Sequence, residues 1–366
     1  MVRESSFVIT AASEVMALLA LSRDYSDLRQ RLGRIVVAER GDGSLVRAEE
    51  LQVAGAMTAL LRDALLPNLV QTIEGQPTLV HAGPFGNIAH ANNSILADQM
   101  ALKLSDLVIT EAGFGSELGF EKFCHIVARF GQIQPAAAML VATVRALRSH
   151  AGVPSSSGDV KALSMGLDNL RAHLDIVRAF GVECVVAINR FPDDTAAELD
   201  LVRQVALDSG ARAVATHDGY IRGGAGSEEL AAVVADVAQH GSAFKPLCPP
   251  QTPIEEQVTT IAERLYGAEG VDFSDLARRR LQQLESLGLD RLPVCIAKTP
   301  LSLSHDPTRK GRPTGYRLPV RDLKPSLGAG FVVVLCGDIQ LMPGLGRQPA
   351  FTKIDVDPKG TISGLF

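Results

Sequence analysis

Two polar, glycine-containing segments hold side chains of the types that bind small molecules. The first is GPFGNIAHANNSI (Gly83–Ile95) and the second is TEAGFGSELGFEKF (Thr110–Phe123). In the first segment, Asn87 and His90 stand close to two further asparagines, so amide and imidazole groups that form hydrogen bonds are concentrated there. Asparagine also favours turns and helix caps, which leaves a plain loop as the alternative. The concentration of these groups favours a role in lining a ligand site.

The elements around these segments are predicted to place them at one edge of a sheet. Apolar runs typical of buried strands precede them, at Thr78–Ala82 and Leu107–Thr110, and helical patterns follow. Three later runs, at Ala138–Val144, Cys184–Ile188 and Arg212–Ala215, have the same character. Helices are predicted at Val160–Phe180 and Thr195–Leu207, and shorter strands at Val294–Ala297, Phe331–Leu335 and Phe351–Val356. Strands that alternate with helices form an open, mostly parallel α/β sheet, whose ligands bind beyond the carboxyl ends of the strands.

Two aromatic residues follow the last two of these predicted strands. Phe191 lies in NRFPDDT, directly after Cys184–Ile188, and Tyr220 lies in THDGYIRGG, after Arg212–Ala215. An aromatic ring at a strand end is suited to stacking on a flat heterocycle. The alternative is that Phe191 belongs to the core and that Tyr220 is merely exposed.

Composition narrows the class of protein. The chain has 366 residues, more than one domain usually contains, and its net charge of −5 argues against nucleic acid as a partner. Its five cysteines form no C-x-x-C pair, and His81 and His90 lack further ligands nearby, so neither a disulfide framework nor a metal site is predicted. The N-terminal residues lack a signal-peptide pattern, and the apolar run Val15–Leu21 is too short to span a bilayer. No membrane association and a cytoplasmic location are therefore expected.

Motifs in one consistent order along nearly the whole chain resemble the formate–tetrahydrofolate ligase family, also called formyltetrahydrofolate synthetases. Besides the two glycine-containing segments, they are Arg3-Glu4-Ser5, LGRIVV (Leu32–Val37), LPNLVQT (Leu66–Thr72), VATVRALR (Val141–Arg148), VVAINRFPDDT (Val185–Thr195), LYGAEGV (Leu265–Val271), LPVCIAKT (Leu292–Thr299), PTGYRLPVRD (Pro313–Asp322), MPGLG (Met342–Gly346) and ISGLF (Ile362–Phe366). The resemblance covers the C-terminal two thirds of such an enzyme.

The resemblance implies a reaction and a set of partners. The reaction is the ATP-dependent formylation of tetrahydrofolate by formate, through formyl phosphate, to 10-formyltetrahydrofolate. ATP would enter with Mg²⁺ as a substrate, and a monovalent cation is a further candidate cofactor. The family resemblance also implies a homo-oligomer, with a tetramer as the expected form.

The resemblance also implies roles for individual residues. Glu111 would be catalytic and Phe114 would bind substrate, both facing the cleft, and Asn87 and His90 would also bind substrate. Phe191 and Tyr220 would clamp the pterin ring, although the family usually has tryptophan where this chain has Tyr220.

A second departure lies just before that tyrosine. The family usually has Leu-Ser-Glu where this chain has Thr216, His217 and Asp218. The resemblance assigns Thr216 and His217 to cofactor binding, so we expect the pocket in outline but with altered chemistry.

The motif that should bind the phosphates of ATP is missing. No G-x-x-x-x-G-K-[ST] occurs in the sequence, whereas the family has this P-loop upstream of the matched region. We therefore expect a truncated form: an incomplete, P-loop NTPase-like and mostly parallel sheet with a C-terminal α/β domain. The predicted parts are residues 1–55, the remnant of a domain begun upstream, residues 56–172, the second part of the nucleotide-binding domain, and residues 173–366, a folate-binding domain.

Two other functions compete with the ligase. One is a non-catalytic remnant that binds folate or forms oligomers, because catalysis would need the missing loop. The other is a dinucleotide-dependent oxidoreductase, since GFGSELG (Gly113–Gly119) is similar to a dinucleotide-binding fingerprint. Glu111 argues against the oxidoreductase because a carboxylate would repel a pyrophosphate at the start of the following helix. Arg145 stands after the next strand, where an acidic residue would contact the ribose.

Overall fold

The computed structural model describes residues 9–86, 88–152, 158, 160–339 and 347–364. The α-helices are α1 (Glu14–Leu21), α2 (Tyr25–Arg34), α3 (Ala54–Leu60), α4 (Ile95–Leu104), α5 (Ala128–Gly131), α6 (Val144–Ala151), α7 (Val160–Ala179), α8 (Ala196–Asp208), α9 (Gly219–Arg222), α10 (Glu228–Gln239), α11 (Ile254–Arg264) and α12 (Asp275–Ser286). The strands are β1 (Val36–Glu39), β2 (Leu45–Arg47), β3 (Asn68–Gln71), β4 (Pro77–Val80), β5 (Ala138–Ala142), β6 (Cys184–Asn189), β7 (Ala213–His217), β8 (Val271–Phe273), β9 (Val294–Ala297), β10 (Leu318–Ser326), β11 (Phe331–Cys336), β12 (Asp355–Val356) and β13 (Ile362–Ser363).

A parallel sheet of β5, β6 and β7, with β6 in the middle, forms one layer of the fold. The apolar run of β6 is buried up to Asn189, as expected for a parallel strand covered on both faces. Thr195 begins α8 with a capping box, in which its side chain and that of Glu198 each accept a hydrogen bond from the other's backbone N–H. The three strands and the helices α7 and α8 confirm the prediction to within two residues.

A second sheet has the strand order β8-β10-β11-β9. β10 and β11 pair antiparallel, whereas β8 and β9 run parallel to their neighbours. The predicted strands at 294–297 and 331–335 are confirmed, but the one at 351–356 is wrong. The chain there forms a 3₁₀ helix, Ala350–Lys353, before the two-residue strand β12. Phe351 is 60% exposed, so its apolar side chain has no core face to join.

The two strands predicted before the glycine-containing segments differ from expectation. β4 pairs antiparallel with β3 in a hairpin, instead of joining the parallel sheet. Residues 107–110 are not a strand. Just after them, Ala112 forms an isolated antiparallel bridge with Asn92. Leu107 and Ile109 are exposed, and within the described residues no neighbouring strand completes the hydrogen bonds of this apolar run. The structure is therefore an α/β fold with parallel pairing in both larger sheets, and the P-loop NTPase-like arrangement stays a prediction.

The N-terminal helices dock on the turn between β10 and β11. A carboxylate oxygen of Glu14 accepts hydrogen bonds from the backbone N–H groups of Gly328 and Ala329, at 2.6 and 3.1 Å. Arg31 donates to the carbonyl of Ala329 at 2.9 Å. These contacts join the first helices to a sheet about 300 residues away along the chain. The predicted division near residues 55 and 172 stays a prediction.

Candidate functional site

The two glycine-containing segments meet in the fold. The backbone N–H of Gly113 donates to the carbonyl of Ala91 at 2.8 Å, next to the bridge between Asn92 and Ala112. The segments are joined by backbone contacts, so a change in the position of one displaces the other. They form one surface, although neither follows the parallel strand that was predicted to position it.

Glycines allow the close approach that shapes this surface. A Cβ added at Gly86 would lie 2.6 Å from the ring of Phe114, and one added at Gly119 would overlap the carbonyl oxygen of Gly113. Phe114 itself has φ of 64°, a left-handed conformation that non-glycine residues rarely adopt. Its ring is 54% exposed. An uncommon backbone conformation thus presents an aromatic ring at the surface where the two segments meet.

The other predicted residues of these segments have different surroundings. Glu111 is exposed and forms no ion pair with any part of the chain that the structure describes. His90 is fully buried, and neither ring nitrogen has a hydrogen-bond partner among the described residues. Burial, with the positive charge of Lys122, lowers the pKa of His90 to about 3, so its ring is neutral at pH 7. Asn87 lies outside the described residues, and the roles of all three stay predictions.

The dinucleotide alternative depended on a strand, a glycine turn and a helix in succession. Residues 107–110 are not a strand, and the helical segment begins inside GFGSELG, with two π-helical stretches, Ser116–Phe120 and Phe123–Val127. The strand that should lead a pyrophosphate-binding turn is therefore lacking there. The geometry does not support an oxidoreductase.

A buried ionic cluster, formed by Ser116, Glu117, His173 and Lys298, lies behind the Phe114 loop. Glu117 Oε1 is 3.5 Å from Lys298 Nζ, and Glu117 Oε2 is 3.6 Å from His173 Nδ1. Ser116 Oγ lies 2.8 Å from the same His173 nitrogen. Burial lowers the pKa values of Lys298 and His173, and the carboxylate of Glu117 opposes both shifts. The cluster ties the start of the π-helical segment to α7 and to the end of β9.

Little in the sequence indicates this buried cluster. Lys298 follows the apolar run of β9 in a position that could equally be exposed, and 181 residues separate it from Glu117. The local indication that Lys298 is buried is that it directly follows a fully apolar strand, β9. Here its ammonium donates to the carbonyl of Ser302 at 2.6 Å and to that of Thr299 at 3.0 Å.

The next turn of the same helical segment is anchored to two other parts of the chain. Lys122 donates a hydrogen bond to the carbonyl of Gly86, in the first glycine-containing segment. His125 Nδ1 lies 2.6 Å from a carboxylate oxygen of Glu121, and its Nε2 accepts from the backbone N–H of Cys248 at 3.2 Å. Because Nε2 accepts, the proton of a neutral ring is on Nδ1 and points at Glu121. The segment behind Phe114 is thus fixed at both ends.

Phe191 lies at the carboxyl end of β6, as predicted. It is half-buried, and its backbone N–H donates to Asp194 Oδ2 at 2.8 Å. The guanidinium carbon of Arg145, in the first turn of α6, lies 4.0 Å from the centre of the Phe191 ring. Arg145 also forms an ion pair with Asp193 at 2.8 Å. Phe191 is therefore neither a core residue nor freely exposed.

Tyr220 lies on α9, directly after β7. Its side chain is 98% exposed, and within the described residues its ring contacts neither Phe191 nor any other aromatic ring. β6 and β7 are neighbours in the parallel sheet, so the two aromatic residues follow adjacent strands at the same edge.

Thr216 and His217 have hydrogen-bond partners in the protein. Arg203 donates to Thr216 Oγ1 at 3.1 Å. The two ring nitrogens of His217 lie 3.2 Å from Asn189 Oδ1 and 3.1 Å from Ser227 Oγ. His217 thus joins the ends of β6 and β7 to the loop after α9, and its assignment to cofactor binding stays a prediction.

The hairpin of β3 and β4 connects the two halves of the candidate site. Glu74, at its tip, accepts a hydrogen bond from the backbone N–H of Gly224 at 2.8 Å. Gly224 belongs to the turn that follows Tyr220, and β4 leads directly into the first glycine-containing segment. The loop of Tyr220 therefore contacts the hairpin that leads into the first glycine-containing segment.

Other features do not compete with this site. A cavity of about 320 Å³ lies between β1 and α12, lined by Val37, Arg280 and Lys324 among others, and it contains no strand-end residue of the parallel sheet. In the described parts of the chain, no three His, Cys, Asp or Glu side chains gather where they could bind a metal ion. No helix in those parts is long and apolar enough to cross a membrane.

The described residues form an α/β fold in which the loops of Phe191 and Tyr220 follow the carboxyl ends of neighbouring parallel strands. A family model described as formate–tetrahydrofolate ligase matches residues 1–366, and the chain belongs to this family. It is 49% identical over 377 residues to a formate–tetrahydrofolate ligase of Saccharopolyspora erythraea, which covers 99% of the chain. It is 50% identical over 368 residues to that of Acidiphilium cryptum and 50% identical over 374 residues to that of Aeromonas hydrophila, which cover 100% and 99% of it. The chain spans 66%, 66% and 65% of the lengths of these relatives.

Proposed function

We propose that this chain supplies the folate-binding part of a formate–tetrahydrofolate ligase. In the reaction, a formate oxygen attacks the γ-phosphorus of ATP, the bond from that phosphorus to ADP breaks, and formyl phosphate forms. The N10 amine of tetrahydrofolate then attacks the formyl carbon, phosphate leaves with the electrons of the broken bond, and the amine loses a proton. Such a reaction needs electrostatic stabilisation of the transferred phosphoryl group and a flat slot for the pterin.

The single observation that carries the proposal is the placement of Phe191 and Tyr220. Both follow adjacent parallel strands, at the edge where α/β sheets bind their ligands. The family match along the whole chain supports the pterin ring of tetrahydrofolate as the ligand that we propose for this pair. Phe114 would contribute a further apolar wall, and Glu111 would act on the amine from the cleft.

The proposal assigns no residue of this chain to Mg²⁺ or to a monovalent cation. Three acidic or imidazole side chains that could share a metal ion do not come together in the described residues. When bound with ATP, Mg²⁺ would supply charge neutralisation of the phosphates. Assembly into a homo-oligomer and a cytoplasmic location are expectations drawn from the family resemblance and the sequence.

We predict that the purified 366-residue chain releases no ADP in response to formate. The sequence contains no G-x-x-x-x-G-K-[ST] to bind the phosphates of ATP. ADP would be measured with ATP and tetrahydrofolate present, with and without formate. Adding the third of a relative's length that this chain does not span, in trans or as a fusion, should restore activity.

The outcome separates two functions. Turnover by the chain alone would contradict our account of phosphate binding. Folate binding without turnover, even after that addition, would favour the second candidate function, a non-catalytic folate-binding protein. The lack of a G-x-x-x-x-G-K-[ST] motif in this sequence is what makes it a candidate.

We expect Tyr220→Ala to weaken the binding of a folate analogue about tenfold, because a stacked aromatic pair contributes roughly 0.5–1.5 kcal/mol beyond its burial. Tyr220→Trp should preserve or improve the affinity, because it enlarges the stacking face. Fluorescence titration of the analogue gives the dissociation constants. Tyr25→Ala, which removes another exposed tyrosine, is the matched control and should leave them unchanged. Equal affinity in Tyr220→Ala and the unmodified chain would rule out the clamp.

A further inference from the structure

We propose that Arg145 is a positioning residue of the folate slot. Its guanidinium lies over the Phe191 ring, and the proposed ligand would stack on the opposite face. This inference rests on the proposed function, since it concerns the same slot. It extends the site to α6, an element that the aromatic pair alone does not include.

Two contacts fix the guanidinium over the ring. Its carbon lies 4.0 Å from the centroid of Phe191, well inside the distance of about 6 Å at which a cation is attracted to an aromatic face. Its Nη2 donates to Asp193 Oδ1 at 2.8 Å, so the carboxylate holds it from the side. A planar cation with one fixed edge can lie on a ring with little freedom to turn.

Helix α6 and the loop after β6 position the contact between Arg145 and Phe191. Arg145 is the second residue of α6, and the hydroxyl of Thr143 caps that helix by accepting from Ala146 N–H at 3.1 Å. The backbone of Phe191 is fixed by its own hydrogen bond to Asp194. The ring is therefore positioned by its contact with α6 and by the loop that carries it.

The neighbouring arginine does not share this role. Arg190 forms an ion pair with Asp218 at 2.9 Å, on the β7 side of the loop. Among the described residues, Arg145 is the cation that lies over Phe191. It would act on the ligand through the ring, since the ring is the group that it contacts.

A ring that is already ordered should bind a flat ligand more tightly than a mobile one. Ordering a side chain on binding costs free energy, and a contact made before binding removes that cost. The cation also polarises the ring. Removing Arg145 should therefore weaken ligand binding without removing any group that touches the ligand.

The test compares Arg145→Gln with the unmodified chain in titrations of a folate analogue. We expect the dissociation constant to rise about two- to fivefold, the range that corresponds to an exposed cation–π contact. Arg145→Lys, which keeps a cation, should recover most of the affinity. In a Phe191→Leu background, Arg145→Gln should have no further effect, because the ring through which it acts is gone.

Arg171→Gln is the matched control. It removes another half-exposed arginine that forms an ion pair with an aspartate, Asp168, at the same 2.8 Å, and it should leave affinity unchanged. If Arg145→Gln binds as tightly as the unmodified chain, or more tightly, the guanidinium does not position the ring and the inference is overturned. An equal loss in the Phe191→Leu background would also overturn it. If the unmodified chain itself binds no folate analogue, the proposed function fails instead.

Discussion

Lys298→Met should lower the free energy of unfolding by about 3–5 kcal/mol, the cost of leaving a buried charge without its partner. Glu117 and Lys298 are both almost fully buried, with 3.5 Å between the carboxylate and the ammonium. The methionine would also leave the carbonyl of Ser302 without its donor. Denaturant unfolding, followed by circular dichroism, gives the difference.

Lys310→Met is the matched control for this change. Lys310 lies in the same loop region and also donates to one backbone carbonyl, that of Leu301, but it is exposed. Its loss should change the free energy of unfolding by less than about 0.5 kcal/mol. Adding Glu117→Gln to Lys298→Met should recover much of the stability, since the unpaired charge is then removed. Equal effects of Lys298→Met and Lys310→Met would show that the ion pair contributes nothing.

The free energy of unfolding should fall as pH rises from 4.5 to 7, by about 3 kcal/mol from Glu14 alone. Burial raises the pKa of this carboxyl group from its ordinary value of 4.5 to about 7, against the two backbone hydrogen bonds that lower it. Between these pH values the folded protein keeps a proton that the unfolded chain has lost. Because the folded state then binds more protons, raising the pH favours unfolding, and the loss is complete above pH 7.

Glu14→Gln should remove this dependence. The amide oxygen can still accept from Gly328 and Ala329, and the side chain stays neutral at every pH. Stability would be measured at intervals from pH 4.5 to 8 for this variant, for the unmodified chain and for Glu229→Gln, which alters an exposed carboxylate on α10. The Glu229→Gln curve should follow the unmodified chain. Parallel curves for Glu14→Gln and the unmodified chain would contradict the assigned pKa.

Local sequence patterns correctly predicted those helices and strands whose buried residues are close together in the sequence. The apolar run of β6 is contained in a few neighbouring residues and appears where expected. Phe191 and Tyr220 could be placed at strand ends for the same reason. The run at 107–110 looks equally strand-like in sequence, but a strand also needs a partner, which local sequence does not supply.

Contacts between distant residues could not be predicted in this way. From its charge, Glu117 would be expected to be exposed at the start of a helix. It is buried in the fold because Lys298, 181 residues later in the sequence, lies beside it. Local sequence does not predict β10, because Pro319, Pro325 and its charged residues interrupt the alternation typical of a strand. Nothing in the segment of Arg145 indicates that this side chain lies over Phe191.

The hydrogen bond between Glu74 and Gly224 has a consequence for the order of folding. The two residues are 150 positions apart, and contacts of such separation pay a large loop-closure entropy before they form. β6 and β7, by contrast, are joined by a single helix and can pair early. In a refolding experiment, secondary structure should therefore return before the loop of Tyr220 reaches its final geometry, and the capacity to bind folate should be among the last properties regained.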